Sequence, residues 1–237
     1  MTVITVSRQY GSGGDEIASR VCEILGYKQF DKYLMAQAAR EAGLTQEEMI
    51  DFPVENHKVR GFLDRLFGRG GPVVKAYFWK EDETGAVVSE EREYLEEAAI
   101  PLAQNAIRSA CQEGKMLILG RGGQAVLQDE PCALHVRIEA PMEKRIQTIK
   151  QQLRQTKEEF HADIDLRREA QDLIQTRDEA SRDYLQEYYH VDWADPSLYH
   201  LVLNTSKLTI EEAAQMIASL VRIFEAEHRA DAQPAAA

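Results

Sequence analysis

Short runs of apolar residues alternate along this sequence with longer segments in which apolar residues recur at helical spacing. Continuous apolar runs of this length are typical of strands buried on both faces of a parallel sheet. The runs are Tyr27–Phe30, Val3–Val6, Met116–Leu119, Ala133–Ile138 and Leu198–Leu203. Because helical segments separate them, the pattern predicts βαβ units, a parallel sheet and helices on both faces.

The helices are predicted from apolar spacing together with start and stop signals. The first runs from Asp15 to Leu25 and stops at Gly26. A long helix from Glu90 towards Cys111 contains Pro101, which would kink or divide it. Further helices are predicted at Gln124–Leu127, from Glu139-Ala140-Pro141 onward, over the charged stretch Glu158–Tyr189, and after the capping box Thr209-Ile210-Glu211-Glu212.

The periodicity weakens over residues 51–89, which we interpret as an insertion over the main sheet. Within it, Val73–Trp79 and Ala86–Val88 are predicted to form a hairpin. The prediction is a single domain over residues 1–229, followed by a disordered tail at residues 230–237.

Composition limits the classes of function. The chain has 237 residues, 44% of them hydrophobic, and a formal net charge of −12. Generic nucleic-acid binding needs a basic surface, so it is not expected. No apolar run is long enough to cross a bilayer and no signal peptide is evident, so we expect a cytoplasmic protein that does not bind membranes. Three widely spaced cysteines, Cys22, Cys111 and Cys132, are expected to be reduced core thiols.

The first candidate site is the glycine-rich loop between the first strand and the first helix. Such a loop lets backbone N–H groups converge, and the helix N-terminus adds partial positive charge, so the segment predicts an anion cradle. The candidate phosphate-binding residues are Ser7, Arg8, Gly11, Ser12, Gly13, Gly14, Asp15 and Glu16. The alternative is a glycine-rich turn without a ligand.

A second glycine turn, Gly120-Arg121-Gly122-Gly123, follows another predicted central strand. Ligands of parallel sheets bind beyond the carboxyl ends of the strands, so the two turns are expected at the same edge. Asp31 follows the strand Tyr27–Phe30 and is well placed to cap the next helix. That structural role is preferred over a functional one.

The segment Ile4–Ala18 resembles the opening of the cytidylate-kinase-like proteins, a divergent branch of the P-loop nucleoside monophosphate kinases. The resemblance extends over roughly residues 1–225. It continues in Phe30-Asp31-Lys32, Gly120-Arg121-Gly122-Gly123, Ala140-Pro141-Met142-Glu143-Lys144-Arg145, the run from Arg177-Asp178 to Arg182, the segment Tyr188–Trp193 and Tyr199–Asn204.

The resemblance implies a three-layer α/β P-loop kinase-like fold with a five-stranded parallel sheet, a helical lid near residues 145–190 and a monophosphate-binding insertion. It implies transfer of the γ-phosphoryl group of ATP, with Mg²⁺, to CMP or a similar phosphorylated acceptor. Arg121, Arg177 and Arg182 would line the acceptor site, with Asp31 beside it, and the Arg145–Arg154 surface would lie in the lid. The candidate catalytic residues are Arg8, Arg121, Arg177 and Arg182.

The loop departs from the usual P-loop at the groups that handle charge. Gly14 stands in place of the lysine, Asp15 or Glu16 in place of the magnesium-binding hydroxyl, and Gly122 in place of the aspartate of the G-R-D turn. Two physical repairs are available. Arg8 could bind phosphate with its guanidinium, and Asp15 or Glu16 could hold Mg²⁺ directly.

Two other hypotheses remain beside an active kinase. One is a non-catalytic nucleotide- or phosphate-binding protein that has lost the lysine and the magnesium ligand. The other is an interaction protein whose contact surface is the charged helix Glu158–Tyr189, although a solvated lid helix explains that segment more simply. The sequence specifies neither the acceptor nor the oligomeric state.

Overall fold

The computed structural model describes residues 2–30, 73–81, 87–156 and 163–231. In these residues the strands are β1 (Val3–Arg8), β2 (Lys28–Phe30), β3 (Val73–Glu81), β4 (Val87–Leu95), β5 (Met116–Leu119), β6 (Ala133–Glu139) and β7 (Leu201–Asn204). The α-helices are α1 (Gly14–Leu25), α2 (Glu96–Glu113), α3 (Gly123–Val126), α4 (Met142–Thr156), α5 (Asp163–Tyr189) and α6 (Ile210–Asp231).

The chain divides into two compact units, one of Met1–Gln29 with Glu113–Ala237 and one of Phe30–Gln112. The predicted insertion falls in the second unit, where β3 and β4 form an antiparallel hairpin with Val73 opposite Leu95. The predicted hairpin is therefore confirmed. Asp31, with its predicted capping role, lies outside the described residues, as do residues 51–72 and 82–86 of the insertion and residues 232–237 of the tail.

The five-stranded sheet has the order β2-β5-β1-β6-β7. β1 lies at its centre and pairs in parallel with β5 and β6, while β6 pairs in parallel with β7. Val6 lies opposite Leu119, so the chain leaves β1 and β5 at the same edge. The predicted α/β fold and the shared edge of the two glycine turns are both confirmed.

One face of the sheet is apolar because alternate strand residues point to the same side. Ile4 and Val6 of β1, together with the matching residues of β5, β6 and β7, form a continuous buried cluster with Ile17 and Val21 of α1 and Ile217 of α6. Burial of each large aliphatic side chain contributes about 1.5–3 kcal/mol. This cluster fixes α1, and with it the loop that precedes α1, against the sheet.

The opposite face carries polar residues that are buried in pairs. Thr5 Oγ1 lies 2.8 Å from His135 Nδ1, and the backbone N–H of His135 donates to His200 Nδ1 at 3.0 Å. Next to this pair, the Arg137 guanidinium donates to Glu139 and to the carbonyl oxygen of Trp193, both at 2.5 Å. A buried guanidinium needs such partners, because an unpaired charge in the interior is costly. The segment before β7 is therefore fastened to β6.

The buried histidine makes stability depend on pH. Burial, with the neighbouring His200, lowers the pKa of His135 to about 4 from its ordinary value of 6.5. The unfolded chain then binds a proton that the folded chain does not, so stability is fully present above pH 6.5 and decreases towards pH 4. The full loss corresponds to about 3 kcal/mol.

Urea unfolding measured from pH 7 to pH 5 should therefore show falling stability in the wild type and a flatter profile in His135→Gln. The exposed His190 supplies the control, His190→Asn, which should follow the wild type. An equal slope for His135→Gln and the wild type would exclude His135 as the source.

Several boundaries differ from the sequence-based expectation. β1 continues to Arg8 because Ser7 and Arg8 pair with Arg137 and Ile138 of β6. The long helix begins at Glu96, not Glu90, because the preceding residues form β4. The last strand is shortened to Leu201–Asn204, since Pro196–Leu198 forms a 3₁₀ turn.

The helix expected from Glu139 onward begins at Met142, because Glu139 still pairs with Asn204 of β7. The charged helix is described from Asp163 to Tyr189, and residues 158–162, which were predicted to belong to it, lie outside the described part of the chain. The capping box before α6 is confirmed: Glu212 N–H donates to Thr209 Oγ1 at 3.2 Å, and Thr209 N–H donates to Glu212 at 2.8 Å.

The cysteines differ in burial. Cys111 is buried as expected, whereas Cys22 and Cys132 are half-buried, and no disulfide joins any of the three. Of the helices in the described residues, none combines the length and the apolar character needed to cross a membrane.

Candidate active site

The glycine-rich loop occupies residues 9–13, between β1 and the first residue of α1. Gly11 and Gly13 have φ values of 79° and 81°, in the left-handed region that favours glycine. Gly13 is the N-cap of α1. The N–H groups of the first helical turn lack helical acceptors, so this end of the helix attracts anions.

Two parts of the chain outside the loop, the ends of β6 and β7, hold it in place. Gln9 accepts the backbone N–H of Ala140 through its side-chain oxygen at 3.0 Å, and its own N–H donates to Ile138 at 3.0 Å. Thr205, after β7, donates its hydroxyl to the carbonyl oxygen of Ser12 at 2.8 Å. The loop is thus positioned by hydrogen bonds to the ends of β6 and β7.

The space above Gly14 is filled by Arg8. A Cβ atom on Gly14 would lie only 2.5 Å from the Cβ atom and 2.7 Å from the Cγ atom of Arg8. Real Cβ atoms do not approach so closely, so residue 14 must be glycine while Arg8 holds this position. The absence of the P-loop lysine therefore has a steric cause in the neighbouring strand.

The guanidinium of Arg8 lies between the two glycine turns. Its Nη2 atom donates to Asp15 at 3.1 Å, in the first turn of α1. Its Nη1 atom lies 2.9 Å from where a Cβ atom on Gly120 would stand. The side chain of Arg8 is 29% exposed and that of Asp15 is 67% exposed. One cation is thus in contact with the cradle and with the second turn.

The second turn has an unusual backbone. Gly120, Arg121 and Gly122 have φ values of 70°, 58° and 71°. A left-handed conformation is uncommon for an arginine and costs about 1 kcal/mol or more, and such residues concentrate at functional sites. The backbone N–H of Gly120 donates to Val6 at 2.9 Å, which ties the turn to β1.

Tyr189 of α5 covers the second turn. A Cβ atom on Gly122 would lie 2.8 Å from Cε2 of Tyr189, so an aspartate, as in a G-R-D turn, would have to displace the Tyr189 ring. The hydroxyl of Tyr189 lies 3.4 Å from that of Tyr184. Burial, together with Tyr189, raises the pKa of Tyr184 well above its ordinary value, and the charge of Arg121 offsets this only in part. The Tyr184 phenol, on which the charge of Arg121 acts, therefore stays neutral.

The predicted arginines differ in their placement. Arg177 lies on α5 with its guanidinium 5.5 Å from the ring centre of Tyr10, in the loop. Arg121, in the second turn, interacts electrostatically with Tyr184 of α5. Arg182 is exposed on α5, and no hydrogen bond within the described residues joins it to either turn. The structure thus brings Arg8, Arg121 and Arg177 to the two turns.

The predicted loop residues also differ in what their side chains offer. Asp15 and Glu16 are exposed in the first turn of α1, where carboxylates could hold a divalent cation. Ser12 is buried, and its hydroxyl has no hydrogen-bond partner in the described part of the chain. Ser7 is buried and accepts the indole N–H of Trp193 at 2.8 Å, so its hydroxyl is already engaged in the core.

Sequence analysis missed two residues that contact the loop directly, Arg145 and Asp178. Arg145 was placed on an exposed lid surface, but it is only 5% exposed and its guanidinium binds the Asp178 carboxylate. A signal was present for Asp178. It continues the buried i, i+4 series Leu166, Ala170 and Ile174 on α5, so a carboxylate stands on the apolar stripe of the helix.

A sequence model of the cytidylate kinase-like family matches residues 3–207 of the chain. The comparison with curated proteins found no match. Among solved structures, an uncharacterized protein from Eubacterium ventriosum ATCC 27560 superposes with a TM-score of 0.60 at 16% identity, over 94% of this chain and 99% of that one. At this identity the likeness shows the fold alone.

Two further solved structures have lower TM-scores and add nothing to the assignment of the fold. A shikimate kinase from Acinetobacter baumannii in complex with shikimate gives 0.41 at 14% identity, over 93% of each chain. A gluconokinase from Sinorhizobium meliloti 1021 gives 0.46 at 10% identity, over 96% of this chain and 95% of that one. The family match covers most of the sequence, and the chain therefore belongs to the cytidylate kinase-like family of kinase-type phosphotransferases.

Proposed function

We propose that this protein is a kinase that transfers the γ-phosphoryl group of ATP to a small phosphorylated acceptor, with CMP the first acceptor to test. The observation that carries the proposal is the position of Arg8, whose guanidinium lies between Asp15 at the cradle and Gly120 at the second turn. Phosphoryl transfer needs positive charge between donor and acceptor, because negative charge is spread over the transferred group.

The residues of the loop suit a polyphosphate. The left-handed glycines and the N-terminus of α1 provide backbone donors for phosphate oxygens. The buried hydroxyl of Ser12 lacks a partner in the described residues, and leaving such a group unsatisfied costs about 1–3 kcal/mol. A phosphate oxygen within reach would recover that cost. These features favour a phosphate-binding loop over a glycine turn without a ligand.

All of the predicted site residues except Ser7, whose hydroxyl accepts the indole N–H of Trp193, have a role in the proposed reaction. The loop and Ser12 hold the donor phosphates. Arg8 neutralises the charge of the transferred group, and its planar guanidinium takes the place of the ammonium group of the usual lysine. Asp15 or Glu16 would hold Mg²⁺, which when bound neutralises the phosphates and orients them. Arg121 and Arg177 would bind the acceptor phosphate, and by family resemblance Arg182 and Asp31 would belong to the acceptor side.

The proposal is tested by ADP production in a coupled assay. Purified protein is supplied with ATP and a panel of nucleoside monophosphates and small alcohols, with Mg²⁺ or with a chelator. We expect turnover that requires Mg²⁺ and is fastest with one pyrimidine monophosphate. A folded protein that turns over none of the acceptors would contradict the proposal.

One observation favours a second candidate, a nucleotide-binding protein without transferase activity. Arg8 is already paired with Asp15, so the cation that would contact phosphate has a partner within the protein. This candidate predicts that nucleotide binding, measured by calorimetry, persists when Mg²⁺ is chelated and yields no product. Binding that needs Mg²⁺ and leads to turnover excludes it.

A further inference from the structure

We propose that Asp178 is a positioning residue that holds the phosphate loop in its anion-binding conformation through the backbone of Tyr10. The inference rests on the proposed function only in that the loop is taken to bind nucleotide phosphate. Asp178 lies on α5, one residue after Arg177, and within the helix that also carries Tyr184 and Tyr189.

Both backbone groups of Tyr10 are held by a single buried ion pair. The N–H of Tyr10 donates to Asp178 Oδ1 at 2.9 Å, and Arg145 donates to the carbonyl oxygen of Tyr10 at 3.2 Å. The same Arg145 nitrogen donates to Asp178 Oδ2 at 2.5 Å. Two peptide planes of the loop, on either side of Tyr10, are therefore fixed by two helices.

The fixed planes determine the direction of the next amide. In a trans peptide the N–H and C=O groups point in opposite directions, so binding of the Tyr10 oxygen by Arg145 directs the N–H of Gly11 away from the Arg145 guanidinium. Gly11 follows with a φ of 79°, and a Cβ atom there would lie 3.0 Å from Ile149 and 3.2 Å from the carbonyl oxygen of Arg145. The loop is thus packed against α4 at Gly11.

Stability alone does not explain a buried ion pair at this contact, because burying two charges carries a desolvation cost. Arg145 is 5% exposed and Asp178 is 8% exposed. Replacing a buried ion pair by apolar residues of similar volume is often neutral or stabilising, whereas removing one partner is strongly destabilising. What apolar residues would not supply is an acceptor for the N–H of Tyr10 and a donor for its carbonyl oxygen.

The contact also links the loop to an arginine of the proposed acceptor site. Arg177 precedes Asp178 on α5 and lies over the ring of Tyr10, and this ring packs against the apolar cluster between α4 and α5. A shift of α5 would therefore displace Arg177 and the backbone of Tyr10 together. Asp178 thus sets the position of the loop relative to the arginine-bearing helix.

The experiment compares two variants without the buried charges. In Asp178→Leu/Arg145→Met the N–H of Tyr10 loses its acceptor, whereas in Asp178→Asn/Arg145→Met the amide oxygen can replace it. The measurements are the melting temperature, the affinity for ADP with Mg²⁺ by calorimetry, hydrogen exchange of residues 9–14, and the KM values for ATP and for the acceptor. Asp172→Asn, at an exposed position of the same helix, is the control.

We expect both double variants to melt close together, since both lack the ion pair. Relative to the wild type, the leucine variant should bind ADP about ten-fold more weakly, exchange its loop amides about ten-fold faster and show a raised KM for ATP. In the asparagine variant all three quantities should lie within about two-fold of the wild type. Equal affinity and equal loop exchange in the two variants would overturn the proposal.

A second variant covers the case in which the leucine variant does not fold. Asp178→Glu keeps the charge opposite Arg145 but moves the carboxylate by one methylene, and it should weaken ADP binding with little change in melting temperature. Wild-type affinity in Asp178→Glu would again overturn the positioning role. Should the wild type bind no nucleotide, the proposed function fails, and the loop exchange still decides on Asp178.

Discussion

Replacing Arg8 with methionine is expected to lower kcat/KM by about 100-fold or more while leaving the fold intact. Methionine keeps an unbranched stem over Gly14, where the Arg8 Cβ and Cγ atoms lie, but removes the charge between the two turns. The loss of a single charge-stabilising donor in an acyl- or phosphoryl-transfer site typically costs about this factor. The measurement is steady-state kinetics with ATP and the acceptor found in the panel.

Arg20→Met is the matched control, because Arg20 is a partly exposed arginine of α1 that pairs with Glu211 and Glu23. It should leave the kinetics unchanged. Arg8→Lys should retain part of the activity, since it keeps the charge and loses the planar fork. Wild-type kcat/KM in Arg8→Met would remove Arg8 from the proposed mechanism. If Arg8→Met loses affinity for ADP and the wild type itself shows no turnover, the result favours the nucleotide-binding protein without transferase activity.

Restoring the P-loop lysine through Gly14→Lys is expected to damage this protein. The new Cβ atom would stand 2.5 Å from the Cβ atom of Arg8, and both atoms are fixed by backbone, in the last residue of β1 and the first residue of α1. Such overpacking costs about 1–3 kcal/mol. Chemical denaturation should show this loss, and Gly14→Ala should show a similar one, because the clash lies at the Cβ atom.

The double variant Arg8→Gly/Gly14→Lys removes the clash and should recover most of the lost stability. It should also turn over ATP faster than Arg8→Gly alone, since the lysine then occupies the space that Arg8 vacates. Ser19→Lys adds a lysine at an exposed position of α1 and serves as the control. Full stability of Gly14→Ala would show that Arg8 does not dictate the glycine.

The fold was predictable because its signals are local. Apolar runs such as Met116–Leu119 identify central strands, and the alternation of strands with helical segments restricts the connections to parallel βαβ units. The glycine turns could be placed at one edge for the same reason. The boundaries were less predictable: Ser7 and Arg8 extend β1 only because β6 supplies partners for them, which no local pattern of the first strand reveals.

The site was predictable in its backbone and less so in its side chains. Gly11 and Gly13 were expected from the motif and do adopt left-handed conformations. The engagement of Ser7 with Trp193 joins residues that are 186 positions apart in sequence. The contact of Tyr10 with Asp178 spans 168 positions. Contacts over such separations depend on how the whole chain packs. For the contact with Asp178, the sequence carries only one indication, a carboxylate on the apolar stripe of α5.

By itself the sequence determined that a strand, a glycine-rich loop and a helix open a parallel α/β fold, that this loop lacks a lysine, and that Arg8 was a candidate to replace it. These conclusions follow from periodicity, from the conformational freedom of glycine and from the chemistry of guanidinium groups. The tertiary structure alone decided why the lysine is missing. The stem of Arg8 fills the space above Gly14, and its guanidinium reaches the second turn because β1 and β5 are neighbours in the sheet.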